Sequence, residues 1–249
     1  MLKNKVALIT GAGQGVGQGI ALAMADRGAY IAVAGRTLSK LEATCALIEE
    51  RGGKAIVIAC DVKDPVSLAN CVEQTVTQLG TINILVNNAQ EVPLGALHDV
   101  SDELFEAGWQ SGPLATMRLM KLCYPHLKGG GSIVNLASTA AKRWDASGYA
   151  AYGAVKEAIR ALTKGAASEW GKDNIRSNVV LPIATSPGLD SWIENDPDGA
   201  NAFLDTIPMK RIGNCEDDIG RFVASLCSDD SAYVNGQSIA IDGGQAFMG

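Results

Sequence analysis

Aromatic residues are scarce in this chain of 249 residues, at 5% of the total, and histidine occurs only twice. An aromatic-rich β-sandwich is therefore disfavoured, and the 28 glycines point instead to close packing of helices on a sheet. Basic residues are in the minority, 21 against 27 acidic ones for a formal charge of −6. With no basic run, the electrostatic footprint of a nucleic-acid binder is missing. Long apolar runs are missing too: the stretch after residues 1–5 is broken by glycines, too short for a signal segment and far below the ~20 residues of a membrane span. No membrane partner is expected. Cys45, Cys60, Cys71, Cys123, Cys215 and Cys227 lie far apart with no Cys-x-x-Cys pair, so neither a disulfide framework nor a metal centre is expected and a reducing cytoplasm fits best.

What is present is an alternation. Apolar runs of strand length at 6–9, 31–34, 55–60 and 82–86 are separated by helix-like spacings at 20–25, 41–51 and 66–79. A helix follows at 114–127, a strand at 132–136, a long helix at 152–170 and strands at 177–181 and 238–241. Continuous apolar strands are what a parallel sheet covered on both faces requires. The expected fold is α/β, doubly wound and Rossmann-type, with a seven-stranded parallel sheet and helices on both faces, in one domain spanning 1–249. A chain of this length hides roughly 70–75% of its unfolded surface, ample for such a core. Residues 183–214 carry fewer strand signals and more Pro, Asp and Asn. They are expected to form a substrate lid, the plainer alternative being an idle surface excursion.

Residues 10–17 read Thr-Gly-Ala-Gly-Gln-Gly-Val-Gly, after the first strand and at the opening of the first helix. There, free backbone N–H groups and the positive end of the helix dipole attract a pyrophosphate. The spacing Gly11-x-x-x-Gly15-x-Gly17 is not the G-x-G-x-x-G fingerprint, and a turn that serves only tight packing is the plainer reading. The strand–turn–helix context favours a cradle of Gly11, Gln14, Gly15, Val16 and Gly17. Rossmann-type domains test the adenosine ribose at the end of the second strand, which here reads Ala34-Gly35-Arg36-Thr37. No carboxylate stands there to repel a 2′-phosphate, and Arg36 offers it a planar fork, with Thr37 and Ser39 as further donors. NADP(H) is expected over NAD(H), which stays possible. Gln14, where a second cation would help, is neutral.

Tyr152 and Lys156 are four residues apart in a helical window and share one face. A phenol of pKa near ~10 is a sluggish proton donor at neutral pH, and a nearby ammonium favours its phenolate. The strand at 132–136 runs into Ala137-Ser138-Thr139, and in parallel α/β sheets ligands bind beyond the carboxyl ends of strands. Ser138 therefore meets the same cleft.

Taken together, these stations make the whole chain resemble the short-chain dehydrogenase/reductase family, in layout close to 3-oxoacyl-carrier-protein reductases and bacterial hydroxysteroid dehydrogenases. The matching stations are Gly11/Gly15/Gly17, Asp61-Val62, Asn87-Asn88-Ala89, Ser138, Tyr152 with Lys156, Ile175-Arg176-Ser177-Asn178 and Asp242-Gly243-Gly244. The resemblance implies that Tyr152 is the general acid in ketone reduction and that Ser138 holds the substrate oxygen. It further implies that Lys156 lowers the Tyr152 pKa and binds the nicotinamide ribose. By the same resemblance Asp61 and Val62 bind the adenine, Asn88 and Ala89 line the ribose, and Pro182, Ile183 and Thr185 flank the nicotinamide. A homotetramer built through 114–127 and 152–170 is implied as well, with a small ketone or alcohol as the substrate partner.

Several positions depart from the family pattern. The asparagine that completes a proton relay falls on Gly112, where the backbone carbonyl, Ser111 or Thr116 are the available substitutes. Gln90 and Ile183 replace glycines, Pro187 replaces a threonine, and the loop between Ser138 and Tyr152 is one residue longer, so Thr139 is an alternative hydroxyl donor. Gln90, Trp144, Tyr149, Leu189 and Trp192 are candidates for the substrate wall, with ordinary packing as the plainer reading of each. The leading expectation is an NADP-dependent carbonyl reductase or secondary alcohol dehydrogenase. The alternative is a dinucleotide-binding regulator of the same fold that has lost turnover.

Overall fold

The computed structural model describes residues 2–142 and 148–246. The apolar runs become β1 (Val6–Thr10), β2 (Tyr30–Gly35), β3 (Lys54–Ala59), β4 (Ile84–Asn87), β5 (Ser132–Leu136), β6 (Arg176–Pro182) and β7 (Ser238–Ile241). They form one sheet in the order β3-β2-β1-β4-β5-β6-β7, and every neighbouring pair is parallel. Every residue of β1, β4 and β5 is buried, which is why these strands read as predominantly hydrophobic stretches. The chain builds outward from β1 to β3, then returns to lay β4 on the other side of β1. That reversal opens a crevice at the carboxyl ends of β1 and β4, where doubly wound sheets bind ligands.

The connections are α1 (Gly15–Asp26), α2 (Leu38–Glu50), α3 (Pro65–Leu79), α4 (Asp102–Trp109), α5 (Ala115–Leu127), α6 (Ala150–Trp170), α7 (Pro187–Asn195), α8 (Pro197–Asp205) and α9 (Arg221–Leu226). Two cores result. On one face Ile20, Met24, Leu41, Ile48 and Val223 of α1, α2 and α9 pack on Ile9, Val33 and Val134. On the other, Leu68, Cys71, Leu119, Met120 and Cys123 of α3 and α5 pack on Leu8, Leu85 and Ile133. Each large side chain fully removed from water contributes about 1.5–3 kcal/mol, so the strand pattern and the helix stripes hold each other in place.

The expected fold class is the observed one, and the differences are local. The helix expected from residue 114 begins at Ala115 and is joined to α4 by a π-helical turn, Gln110–Leu114, that contains Pro113. Proline carries no N–H for a regular helical bond, and a widened turn accommodates it. The segment 183–214 is less irregular than its composition suggests: it holds α7 and α8, tied at its base by a bridge between Ala184 and Gly213. The six cysteines are free thiols. Among the described residues no helix is long and apolar enough to cross a membrane, and no group of three His, Cys, Asp or Glu could hold a metal ion.

Candidate active site

A groove of about 630 Å³ runs along the carboxyl ends of β1, β2, β4 and β5, from Arg36 at one end to Tyr152 and Lys156 at the other. Its floor is the glycine turn. Gly11 has φ +65°, a left-handed conformation that glycine adopts without strain. The Asn88 amide donates to the carbonyls of Thr10 (3.0 Å) and Gly11 (3.1 Å), and the Thr10 hydroxyl accepts from the N–H groups of Asn88 and Ala89. The turn is thus pinned to the end of β4. A Cβ at Gly17 would collide with the Gly11 carbonyl and the Asn88 amide, so Gly17 serves this packing and does not line the groove. Gln14 caps α1 without a side-chain bond to its first N–H groups, and no acidic residue stands in the first turn. Those donors suit an anion.

At the far end lies a cluster of charge. The Arg36 guanidinium pairs with Glu91 at 2.8 Å, and Lys63 reaches the same carboxylate oxygen at 3.0 Å. The Lys40 ammonium donates to the Gln14 side chain, bringing a second cation to the place where Gln14 alone is neutral. Asp61 accepts from the N–H of Lys63 at 3.0 Å and, with Val62, forms the groove wall below β3. Lys40, Lys63 and Glu91 are absent from the sequence reading. Lys40 was the most accessible of the three, one helical turn beyond Arg36. The other two come from separate loops that only the sheet brings together.

At the opposite end, Ser138, Tyr152 and Lys156 converge on the groove. Lys156 is 3% exposed, and its ammonium donates to the Leu136 carbonyl at 2.7 Å. It lies 5.4 Å from the centre of the Tyr152 ring. Burial pushes its pKa down to about 7. Burial likewise pushes Tyr152 up to about 12, partly offset by a hydrogen bond with Ser138. Desolvation favours the neutral form of both groups, opposite in sense to the easing of the phenol expected from Lys156. Thr139, the alternative hydroxyl, is buried at the start of a 3₁₀ turn, whereas Ser138 faces the groove. Beneath them the Asn87 amide donates to Asn135 at 2.8 Å and the Asn135 amide to Thr163 at 2.9 Å, a buried polar chain that ties β4, β5 and α6 in register.

Of the other expected site residues, Gly11, Gln14, Gly15, Val16, Arg36, Asp61, Val62, Asn88, Ala89, Gln90 and Pro182 line the groove. Ile183 and Thr185 do not. The chain there is extended, with the N–H of Ile183 donating to Ile241 and that of Thr185 to Gly213, so alternate residues turn away and Ala184 and Ser186 face the groove instead. Tyr149, Leu189 and Trp192 also lie off it: the Tyr149 ring rests 6.1 Å from Tyr152, and Trp192 meets Phe203 edge-on at 5.9 Å between α7 and α8. Trp144 lies outside the described residues.

The Gly112 position has a physical counterpart in Gln90. The Gln90 amide donates to the carbonyls of Glu91 (2.9 Å) and Gly108 (2.8 Å) and fills the space into which a side chain at 112 would project. Both donors are spoken for, so the amide cannot flip, and its oxygen is buried beside Gly112 with no partner among the described residues. Ser111, one suggested substitute for the relay, is engaged by the Ala107 carbonyl and the Glu91 N–H. Thr116 is buried away from the groove.

Comparison with known proteins agrees with this geometry. A family profile described as enoyl-(acyl carrier protein) reductase matches residues 11–246. The chain is 38% identical to a 12α-hydroxysteroid dehydrogenase of Clostridium sp. (strain ATCC 29733 / VPI C48-50), over 97% of this chain and 96% of that protein. It is 32% identical to human dehydrogenase/reductase SDR family member 4, over 98% and 88%. Among solved structures, a dehydrogenase/reductase from Sinorhizobium meliloti 1021 superposes with a TM-score of 0.92 at 30% identity, covering 98% of this chain and 96% of the other. A short-chain dehydrogenase/reductase from Serratia marcescens BCRC 10948 gives 0.92 at 29%, covering 99% of each. The chain belongs to the short-chain dehydrogenase/reductase family, NAD(P)-dependent oxidoreductases that interconvert CH–OH and C=O.

Proposed function

We propose that this enzyme is an NADP-dependent carbonyl reductase and secondary-alcohol dehydrogenase in which Tyr152 is the general acid and base. The observation that carries the reading is that Tyr152, Ser138 and Lys156 open onto the same groove as the glycine turn and Arg36. The groove residues fit a dinucleotide: a glycine turn below free helix N–H groups, a polar wall at Asp61, and two cations, Arg36 and Lys40, where a 2′-phosphate would lie.

When bound, the nicotinamide supplies the hydride. Gly11, Gln14, Gly15 and Val16 hold the pyrophosphate, Asp61 and Val62 the adenine, and Asn88 and Ala89 the ribose, with Pro182, Ala184 and Ser186 bordering the nicotinamide end. Ser138 holds the substrate oxygen and Tyr152 delivers its proton as negative charge develops there. Lys156, positioned by the Leu136 carbonyl, binds the nicotinamide ribose. The segment 183–214, with α7 and α8, acts as a lid over the substrate end of a single catalytic domain. The hydroxysteroid dehydrogenase relative supports secondary alcohols on apolar frameworks as the substrate class.

The test is NADPH oxidation against a panel of ketones that includes oxo-steroids, with wild type and Tyr152→Phe, alongside NADPH binding by fluorescence. The expected outcome is a loss of turnover by about 10²–10⁴-fold with binding retained. Equal rates in the two proteins, or NADPH binding without turnover of any substrate by wild type, would overturn the reading, the latter in favour of a dinucleotide-binding regulator.

A further inference from the structure

Glu91 is an acidic side chain with one carboxylate oxygen shared between two cations from two other loops: Arg36 after β2, at 2.8 Å, and Lys63 after β3, at 3.0 Å. Glu91 and Arg36 both line the groove, so their ion pair crosses its adenosine end. The backbone of Glu91 is tied on both sides, its N–H by the Ser111 hydroxyl at 2.9 Å and its carbonyl by the Gln90 amide. Only the side chain is free to move. The Arg36 side chain is 61% exposed, so it too can turn without disturbing the core.

The geometry points to Glu91 as a latch on the adenosine half of the groove, an internal counter-ion that competes with a 2′-phosphate for Arg36 and is parked on Lys63 when that phosphate binds. This rests on the NADP reading above. The carboxylate keeps Arg36 neutralised, and a doubly charged phosphate displaces it because it offers more acceptors and more charge to the same planar fork. Lys63 gives the displaced carboxylate a partner; without Lys63, a bare negative charge would stand beside the phosphate and repel it. Lys63 thus acts on phosphate affinity through Glu91, without touching the nucleotide. Asp61, on the same wall, is anchored by its bond from the Lys63 N–H and is not part of the exchange.

The experiment measures NADPH and NADH dissociation constants by calorimetry for wild type, Glu91→Gln, Lys63→Met, the double variant and Arg36→Ala. Glu91→Gln is expected to tighten NADPH by about two- to fivefold, the upper part of the range of an exposed ion pair, and to change NADH by less than about twofold. Lys63→Met is expected to weaken NADPH by a similar factor in wild type and to have no effect in the Glu91→Gln background. Unchanged or weaker NADPH binding in Glu91→Gln, or a Lys63→Met effect equal in both backgrounds, overturns the latch. If at the same time Arg36→Ala weakens NADPH selectively, the NADP reading stands and the latch alone fails. Equal losses of NADPH and NADH in Arg36→Ala overturn the NADP reading, and the latch with it.

Discussion

Lys156 and Tyr152 illustrate how far a residue pair can depart from its reading in the sequence. Spacing alone suggested an ammonium easing the ionisation of a phenol, but burial drives both groups toward neutrality, Lys156 down from 10.5 to about 7 and Tyr152 up from 10.0 to about 12. The sign of the linkage follows. Between pH 7 and 10.5 an unfolded Lys156 keeps a proton that the folded one has lost, so stability rises with pH across that window. Tyr152 acts in the opposite sense between pH 10 and 12, where the unfolded phenol ionises first. Urea unfolding at pH 7 and pH 9 is therefore expected to show wild type gaining stability relative to Lys156→Met, by at most about 1.4 kcal/mol per pH unit. A flat or falling difference would show that Lys156 is charged and compensated in the fold. Arg36, Tyr152 and Lys156 were legible because each stands at a fixed offset from a strand end or along one helix. Glu91 and Lys63 were not, since their meaning depends on which loops the sheet order brings side by side.

At the scale of elements, the central strands were legible because burial on both faces writes them as largely apolar runs, and the partly exposed edge strands β3 and β7 because they too are rich in apolar, β-branched residues. The short helices α4, α7 and α8 were harder, having eight or nine residues each and few fully buried positions. Their starts were nevertheless marked. Ser101 accepts from the Leu104 N–H ahead of Asp102 and Glu103, while Ser186 and Asp196 cap helices that open with proline, the usual chemistry of a helix N-terminus. The π-helical turn Gln110–Leu114 had no cap residue to mark it, only Pro113 within it. Its space is set by Gln90, which arrives from the end of β4 and occupies the room above Gly112. Residues 90 and 112 should therefore be coupled. Gly112→Asn alone is expected to destabilise the fold by about 1–3 kcal/mol through overpacking, and Gln90→Gly combined with Gly112→Asn to recover most of that loss. Additive losses in thermal or urea unfolding would show that the two side chains do not compete for one space.

At the scale of the molecule, the order of stations along the chain was more telling than any one of them, because a parallel sheet places successive strand ends, and so the residues after β1, β2, β4 and β5, along one rim. Nothing comparable marks the outer surface, where composition is silent about assembly. The structure adds one feature there: α5 and α6 leave between them an apolar trough of about 600 Å³, bordered by Trp109, Leu114, Met117, Ala161, Leu162 and Gly165, with Trp109 41% and Met117 36% exposed. Small residues at 161 and 165 allow a facing helix to approach closely, and a contiguous exposed apolar patch of this kind marks an interface. We read it as the seat of a second copy in a homotetramer, each such contact being self-complementary about a two-fold axis. An arginine at the exposed position 161 would place a charge in the centre of that contact, where leaving it unpaired costs several kcal/mol. Light scattering coupled to size exclusion is expected to give a tetramer for wild type and a smaller species for Ala161→Arg with unchanged circular dichroism. A wild-type monomer at micromolar concentration, or an Ala161→Arg tetramer, would show that the trough serves another purpose.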